Sequence, residues 1–235
     1  MSKTDTEKPL DVIVEHLKHC HIKYMNANRD GRVNSAMHEV QILDKLRTLF
    51  NTDRYLMANG FDIKVPGIRD WYDFGIVNKD KPEYFVPVNI KVTRLSTDNL
   101  NCKLGIYFAL TGLYPTELSN EINWEQLFCM LKQHINTFND KDYYFLVANK
   151  ADNTDFFWNS LKGLQSLVPN GNNLPFQTNW RQNRVRTPRT HDQAGYFILN
   201  CFKESVYKRA AIKELFDEYI EPCLQDYKNN MGNLA

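Results

Sequence analysis

Apolar and polar residues alternate along this chain with two distinct periods. Near the amino end, Leu10, Ile13, Val14 and Leu17, followed by His21, recur on one side of a helical wheel and predict a helix over residues 8–25. Residues 26–34 are rich in Asn, Arg and Gly and predict a loop. Val40, Leu43, Leu46 and Phe50 then repeat the helical spacing, with Ser35 as cap and Glu39 in the first turns. The period changes to two after that. Residues 61–65, 71–77 and 84–92 predict three strands, the last two joined by a polar hairpin turn at 78–82. Pro87 inside the third strand predicts a bulge or one free side there. A helix follows over 123–138. A continuous apolar run at 143–148 predicts a buried strand, and 155–164 a short helix. Residues 170–175 are a loop, 178–190 irregular or hairpin-like, and 204–219 the closing helix, interrupted near Pro222.

This order predicts an α/β fold, with a mixed central β-sheet flanked by helices. At 235 residues the expectation is a single domain, with its core over about 35–150, a further segment at about 165–200, and the closing helix extending over 204–230. No apolar run reaches the roughly 20 residues that span a bilayer. The polar amino end carries no apolar signal core, so a cytoplasmic protein is expected. Five cysteines, none close to another in sequence, argue against a disulfide framework and agree with a reduced compartment. His16, His19, Cys20 and His21 cluster, but no second ligand pair accompanies them, and a solvated helix end is expected.

The net charge is only +1, so no global field advertises a polyanion. The local distribution differs. From Phe156 to His191 there is no Asp or Glu, while Lys162, Arg181, Arg184, Arg186 and Arg189 lie within that stretch. Local positive charge is what phosphate contact requires.

The candidate chemistry lies on the hairpin. Asn89 and Lys91 are two residues apart, so strand alternation puts them on one face. Asp73, across the hairpin, can reach the same place. Two oxygen-bearing side chains beside an ammonium suit a hard divalent cation and a phosphate. Asp73 supplies an anionic ligand, Asn89 a neutral carbonyl oxygen, and Lys91 a charge that holds the attacking water or stabilises the transition state.

These segments, Trp71-Tyr72-Asp73-Phe74 and Val88-Asn89-Ile90-Lys91-Val92-Thr93, resemble the PD-(D/E)xK nuclease motif. In that family an Asp ends one strand, and an acid-x-Lys triplet lies on the next. Glu39 matches the Glu that the family often places on the preceding helix. Leu104-Gly105-Ile106-Tyr107-Phe108 also resembles type II restriction endonucleases, and the likeness spans roughly residues 35–150. It implies a restriction-endonuclease-like core with a carboxy-terminal DNA-recognition extension. It also implies Mg2+ held by Asp73, Asn89, Glu39 and the backbone at Ile90, catalysis by Asp73, Asn89, Lys91 and Glu39, and a homodimer acting on double-stranded DNA. Two positions depart from the family pattern. Tyr72 stands where the motif's name has proline, and Asn89 stands where an acid is usual, which removes one negative charge.

The basic segment then acquires a role. Arg suits guanine, and Asn or Gln suits adenine, in the major groove. Arg181, Gln182, Asn183, Arg184, Arg186, Arg189, Thr190 and His191, together with Arg94, are the expected DNA contacts; Gln177, Thr178 and residues 26–32 are further candidates. The leading expectation is a site-specific, Mg2+-dependent type II deoxyribonuclease of a restriction system. The alternatives are a repair or recombination nuclease on the same core, and a DNA-binding protein whose centre is inactive because of Asn89.

Overall fold

The computed structural model describes residues 6–24, 31–67, 70–115, 122–209 and 212–232, without the side chains of 31–36. The chain divides into two compact units, Met1–Leu95 with Tyr144–Trp158, and Ser96–Tyr143 with Asn159–Ala235. Residues 96–143, expected within the core, therefore belong to the second unit.

The first unit opens with α1 (Glu7–Lys18), α2 (Gly31–Thr52) and the short α3 (Arg54–Ala58). Asp53 starts α3 by accepting the Leu56 amide at 2.9 Å. The second helix begins four residues earlier than Ser35, so Ser35 lies inside it rather than capping it. A five-stranded sheet follows in the order β1-β2-β3-β5-β6. Here β1 is Phe61–Lys64, β2 Phe74–Asn78, β3 Lys81–Thr93, β5 Tyr144–Asn149 and β6 Phe156–Ser160. β1 and β3 flank β2 antiparallel, whereas β5 runs parallel to β3. The sheet is therefore mixed, with helices packed on it, as expected.

One face of this sheet packs against α1 and α2. Phe74 and Ile76 of β2 pair with Val88 and Val86 of β3, and Ile90 pairs with Leu146 of β5. All are buried with Leu10, Ile13 and Leu17 of α1 and Ile42, Leu46 and Phe50 of α2. Each such side chain contributes about 1.5–3 kcal/mol by leaving water. By alternation Pro87, Asn89 and Lys91 occupy the opposite face. Pro87 sits where β3 has one free side, because β5 begins its pairing only at Val88. The bulge lies elsewhere, between Val77 and Asn78.

The segment 156–160, expected as helix, is β6. Its Phe-Phe-Trp run suits a pleated surface as well as a helix, and the sheet decides the outcome. Trp158 is anchored by its indole N–H, which donates to Asp11 at 2.9 Å.

The second unit holds a two-stranded antiparallel ribbon of β4 (Thr97–Leu100) and β7 (Phe176–Asn179). Around it come α4 (Lys103–Thr111), α5 (Trp124–His134), α6 (His191–Tyr207), α7 (Lys213–Tyr219) and α8 (Glu221–Gly232). α4 is buried from Leu104 to Thr111, the mark of a helix apolar all round. Phe128, Phe202 and Phe216 meet edge to face at 5.5–5.6 Å and form the centre of this unit's packing. The closing helix expected over 204–230 is instead the end of α6 followed by two shorter helices. α6 starts at His191 because Thr190 and Gln193 form a capping box. Among the described residues no helix is long and apolar enough to cross a membrane.

Candidate active site

Asp73 stands just before β2 and brackets Asn89. Its amide donates to the Val88 carbonyl at 2.9 Å, and its carboxylate accepts the Ile90 amide at 2.5 Å. Asn89, between these two anchors, is half buried, and so is Lys91. The Asn89 Oδ1 is fully enclosed and has no hydrogen-bond partner. A buried amide oxygen left in this state costs about 1–3 kcal/mol, and such an atom calls for an explanation. Ile90 turns its N–H toward Asp73. The N–H and C=O of one residue in an extended strand point to the same side, so its carbonyl is on the Asp73 side too.

Glu39 of α2 belongs to the same electrostatic neighbourhood. Burial pushes its carboxyl above the usual range, the Asp73 charge adds to this, and the Lys91 charge opposes it. Burial also raises Asp73, while the Ile90 amide and Lys91 pull it down. Thus Glu39, Asp73 and Lys91 sense one another, and Asn89 lies between the two residues that anchor Asp73. The arrangement supplies two carboxylates, one amide oxygen and one ammonium. Among the described residues no group of three or more His, Cys, Asp or Glu could hold a metal ion. Any cation held here would therefore rely on the amide oxygen and backbone as well as the carboxylates.

His38, beside Glu39, is buried edge-on to Tyr24 at 5.3 Å. In the His16–His21 segment, the Cys20 thiol lies 3.3 Å from the His16 Nε2, and His19 pairs with Glu15. Arg94, at the end of the strand that carries Lys91, is exposed. Residues 26–30 lie outside the described residues.

The basic segment belongs to the second unit, where its members separate into two groups. Arg181, Gln182 and Arg184 are exposed. They line, with Gln165, Ser166 and Val185, a groove of about 600 Å³. The other members are used internally. Asn183, expected at the surface, is fully buried. Its amide donates to Thr178 Oγ1 at 2.7 Å and to the Asn179 carbonyl at 2.8 Å, and accepts from Ser166 at 3.0 Å. It fixes the 3-10 turn over Gln182–Arg184 and is not presented to a ligand. Arg189 donates to the Lys162 and Leu164 carbonyls and stacks on Phe197 at 4.0 Å. Thr190 is spent as the cap of α6. Arg186 is half buried.

Lys162 and His191 form a second polar cluster. Lys162 Nζ donates to the Lys141 carbonyl at 2.6 Å and to His191 Nδ1 at 3.1 Å. The His191 Nε2–H then donates to Asn136 Oδ1 at 2.6 Å. Burial, followed by the Lys162 charge, lowers the His191 pKa to about 4, while Asp192 and the Asn139 backbone oppose the shift. The native state thus holds this imidazole neutral. The unfolded chain takes up its proton first as pH falls below about 6.5, so stability is full above that pH and is lost progressively toward pH 4. Thermal melts should show a fall on the order of 4 °C from pH 7 to pH 5 beyond that of His191→Asn. Equal falls in both proteins would refute a buried neutral His191.

Asp73, Lys91 and Glu39, expected together from the sequence, share one electrostatic neighbourhood, with Asn89 between the backbone anchors of Asp73. No protein-family model matches the chain, and no curated protein does.

Proposed function

We propose that this chain is a Mg2+-dependent endonuclease acting on double-stranded DNA, of the restriction type with a PD-(D/E)xK-like centre. The observation that carries the reading is the enclosed, unpartnered Oδ1 of Asn89, the residue between the two backbone anchors of Asp73, together with the shared electrostatic field of Asp73, Glu39 and Lys91. That donor set fits a hard cation, which takes oxygen ligands and keeps several waters. Asp73, Asn89 Oδ1 and the Ile90 carbonyl would hold it, with Glu39 as a further oxygen donor. Bound there, Mg2+ would polarise the scissile phosphate and acidify the attacking water. Asp73 is oriented in advance by the Ile90 amide, so one of its oxygens is fixed and the other is left for the cation. Lys91 supplies positive charge toward the transferring phosphate, where charge builds up in the transition state. Within the basic segment of the second unit, Arg181 and Arg184 are exposed cations suited to phosphate contact. Action as a homodimer on a two-fold symmetric site is part of the same proposal.

A second reading has its own support. With Asn89 in place of an acid the centre holds only two carboxylates, which fits a DNA-binding protein without catalysis. Metal titration separates the two. Wild-type protein should cleave DNA in millimolar Mg2+ or Mn2+, and Asn89→Asp should lower the midpoint metal concentration by about tenfold by restoring a charge. No cleavage and no metal-dependent gain in DNA affinity by either protein would remove the nuclease reading.

A further inference from the structure

The β4–β7 ribbon has one buried and one open face. Its register pairs Thr97 with Asn179, Asp98 with Thr178, Asn99 with Gln177 and Leu100 with Phe176. Leu100, Phe176 and Thr178 are buried. Alternation leaves Thr97, Asn99, Gln177 and Asn179 on the outer face. That face carries amides and a hydroxyl and no ionic group. Its amides are ordered: Asn99 Oδ1 accepts from Gln177 Nε2 at 2.8 Å and from Asn170 Nδ2 at 3.2 Å. The Asn99 amide N–H groups and the Gln177 Oε1 remain for a partner. On cross-strand partners they supply one donor and one acceptor, the two group types that complement the N7 acceptor and N6 donor of adenine.

The ribbon leads directly into positive charge. Asn179 Oδ1 accepts the Arg181 and Gln182 amides at 3.1 and 3.3 Å. This fixes the start of the groove lined by Arg181 and Arg184. A neutral amide surface next to exposed arginines, which lie in the acid-free stretch 156–191, complements base edges flanked by phosphates, while the one acid of the ribbon, Asp98, lies on its inner face. The major groove is wide enough, at about 12 Å, to admit a two-stranded ribbon.

We propose that the outer face of the β4–β7 ribbon reads bases in the major groove of double-stranded DNA. Asn99 and Gln177 together recognise an adenine, and Arg181 and Arg184 hold neighbouring phosphates. The proposal rests on the nuclease reading for its substrate. It moves base recognition from the buried or internally used Asn183, Arg189 and Thr190 to residues that are presented.

The test compares full-length wild type with Asn99→Ala, Gln177→Ala and Asn99→Asp. The last keeps the shape and the accepting oxygen but loses the donor. Mapping of wild-type cleavage ends should give a recognition site containing at least one A·T pair. Each variant should keep its melting temperature, lose about tenfold or more of the cleavage rate at that site, and lose discrimination at one A·T position. A site made only of G·C pairs, or variants with wild-type preference, would overturn the proposal. If wild type cleaves no DNA, the nuclease reading is what fails, and the ribbon is judged by binding alone. Selection from random duplexes should then enrich an adenine-containing motif with wild type and not with Asn99→Asp. No enrichment would overturn it.

Discussion

If the proposed function holds, Lys91→Ala should lower the DNA cleavage rate by about 100- to 1000-fold, with DNA affinity and melting temperature nearly unchanged. Lys91 lies on the face of β3 opposite Val88 and Ile90, so its removal leaves the core packing intact. On the proposed function, what goes is a positive charge that would face the phosphate as it gains negative charge in the transition state. Removal of one such donor costs about that factor in enzymes generally. A binding assay without divalent metal, beside single-turnover cleavage with it, separates the effects. A variant that cleaves within about threefold of wild type would take Lys91 out of the centre.

On the proposed function, Asp73→Asn should abolish metal-dependent cleavage, a loss of about a thousandfold or more, because the one proposed ligand both anionic and pre-oriented becomes neutral. Its effect on stability has the opposite sign. Burial raises the Asp73 carboxyl above its ordinary value, so keeping it ionised at neutral pH costs folding free energy. The amide keeps an oxygen for the Ile90 N–H and removes that cost. Without metal, Asp73→Asn should therefore melt at or above the wild-type temperature. With Mg2+ the wild type should gain stability by mass action and the variant should not. A variant that melts well below wild type in EDTA would mean that Asp73 serves the fold rather than a cation.

The part of the hairpin that carries these residues was legible because it obeys local rules. Alternation is clear in β1 and over Val88–Val92 of β3, a polar turn joins β2 to β3, and the two-residue spacing fixes Asn89 and Lys91 on one face whatever packs around them. Other parts obey rules that single sequences do not resolve. Phe156 to Trp158 suits a strand or a helix, and only a neighbouring strand decides. α4 is apolar on every side, so no period marks it. The start of α6 was written in Thr190 and Gln193, at the spacing of a capping box, directly after an arginine-rich run that drew attention to charge instead. Asn183 shows the deeper limit. A polar residue between arginines reads as surface, yet its hydrogen bonds to Ser166, Thr178 and Asn179 make it a buried brace. The Glu39 carboxylate shows the reverse. Its distance from Asp73 in sequence is no guide, and α2 brings the two into one field.

Asp73, Asn89, Lys91 and Glu39 are proposed to form a cation-dependent phosphodiesterase centre. The most direct measurement is incubation of purified protein with supercoiled and linear phage DNA, in Mg2+ and in EDTA. Discrete fragments in Mg2+ and intact DNA in EDTA are the predicted result. Intact DNA in Mg2+ and Mn2+ alike, from folded protein that still binds duplex, would contradict the claim.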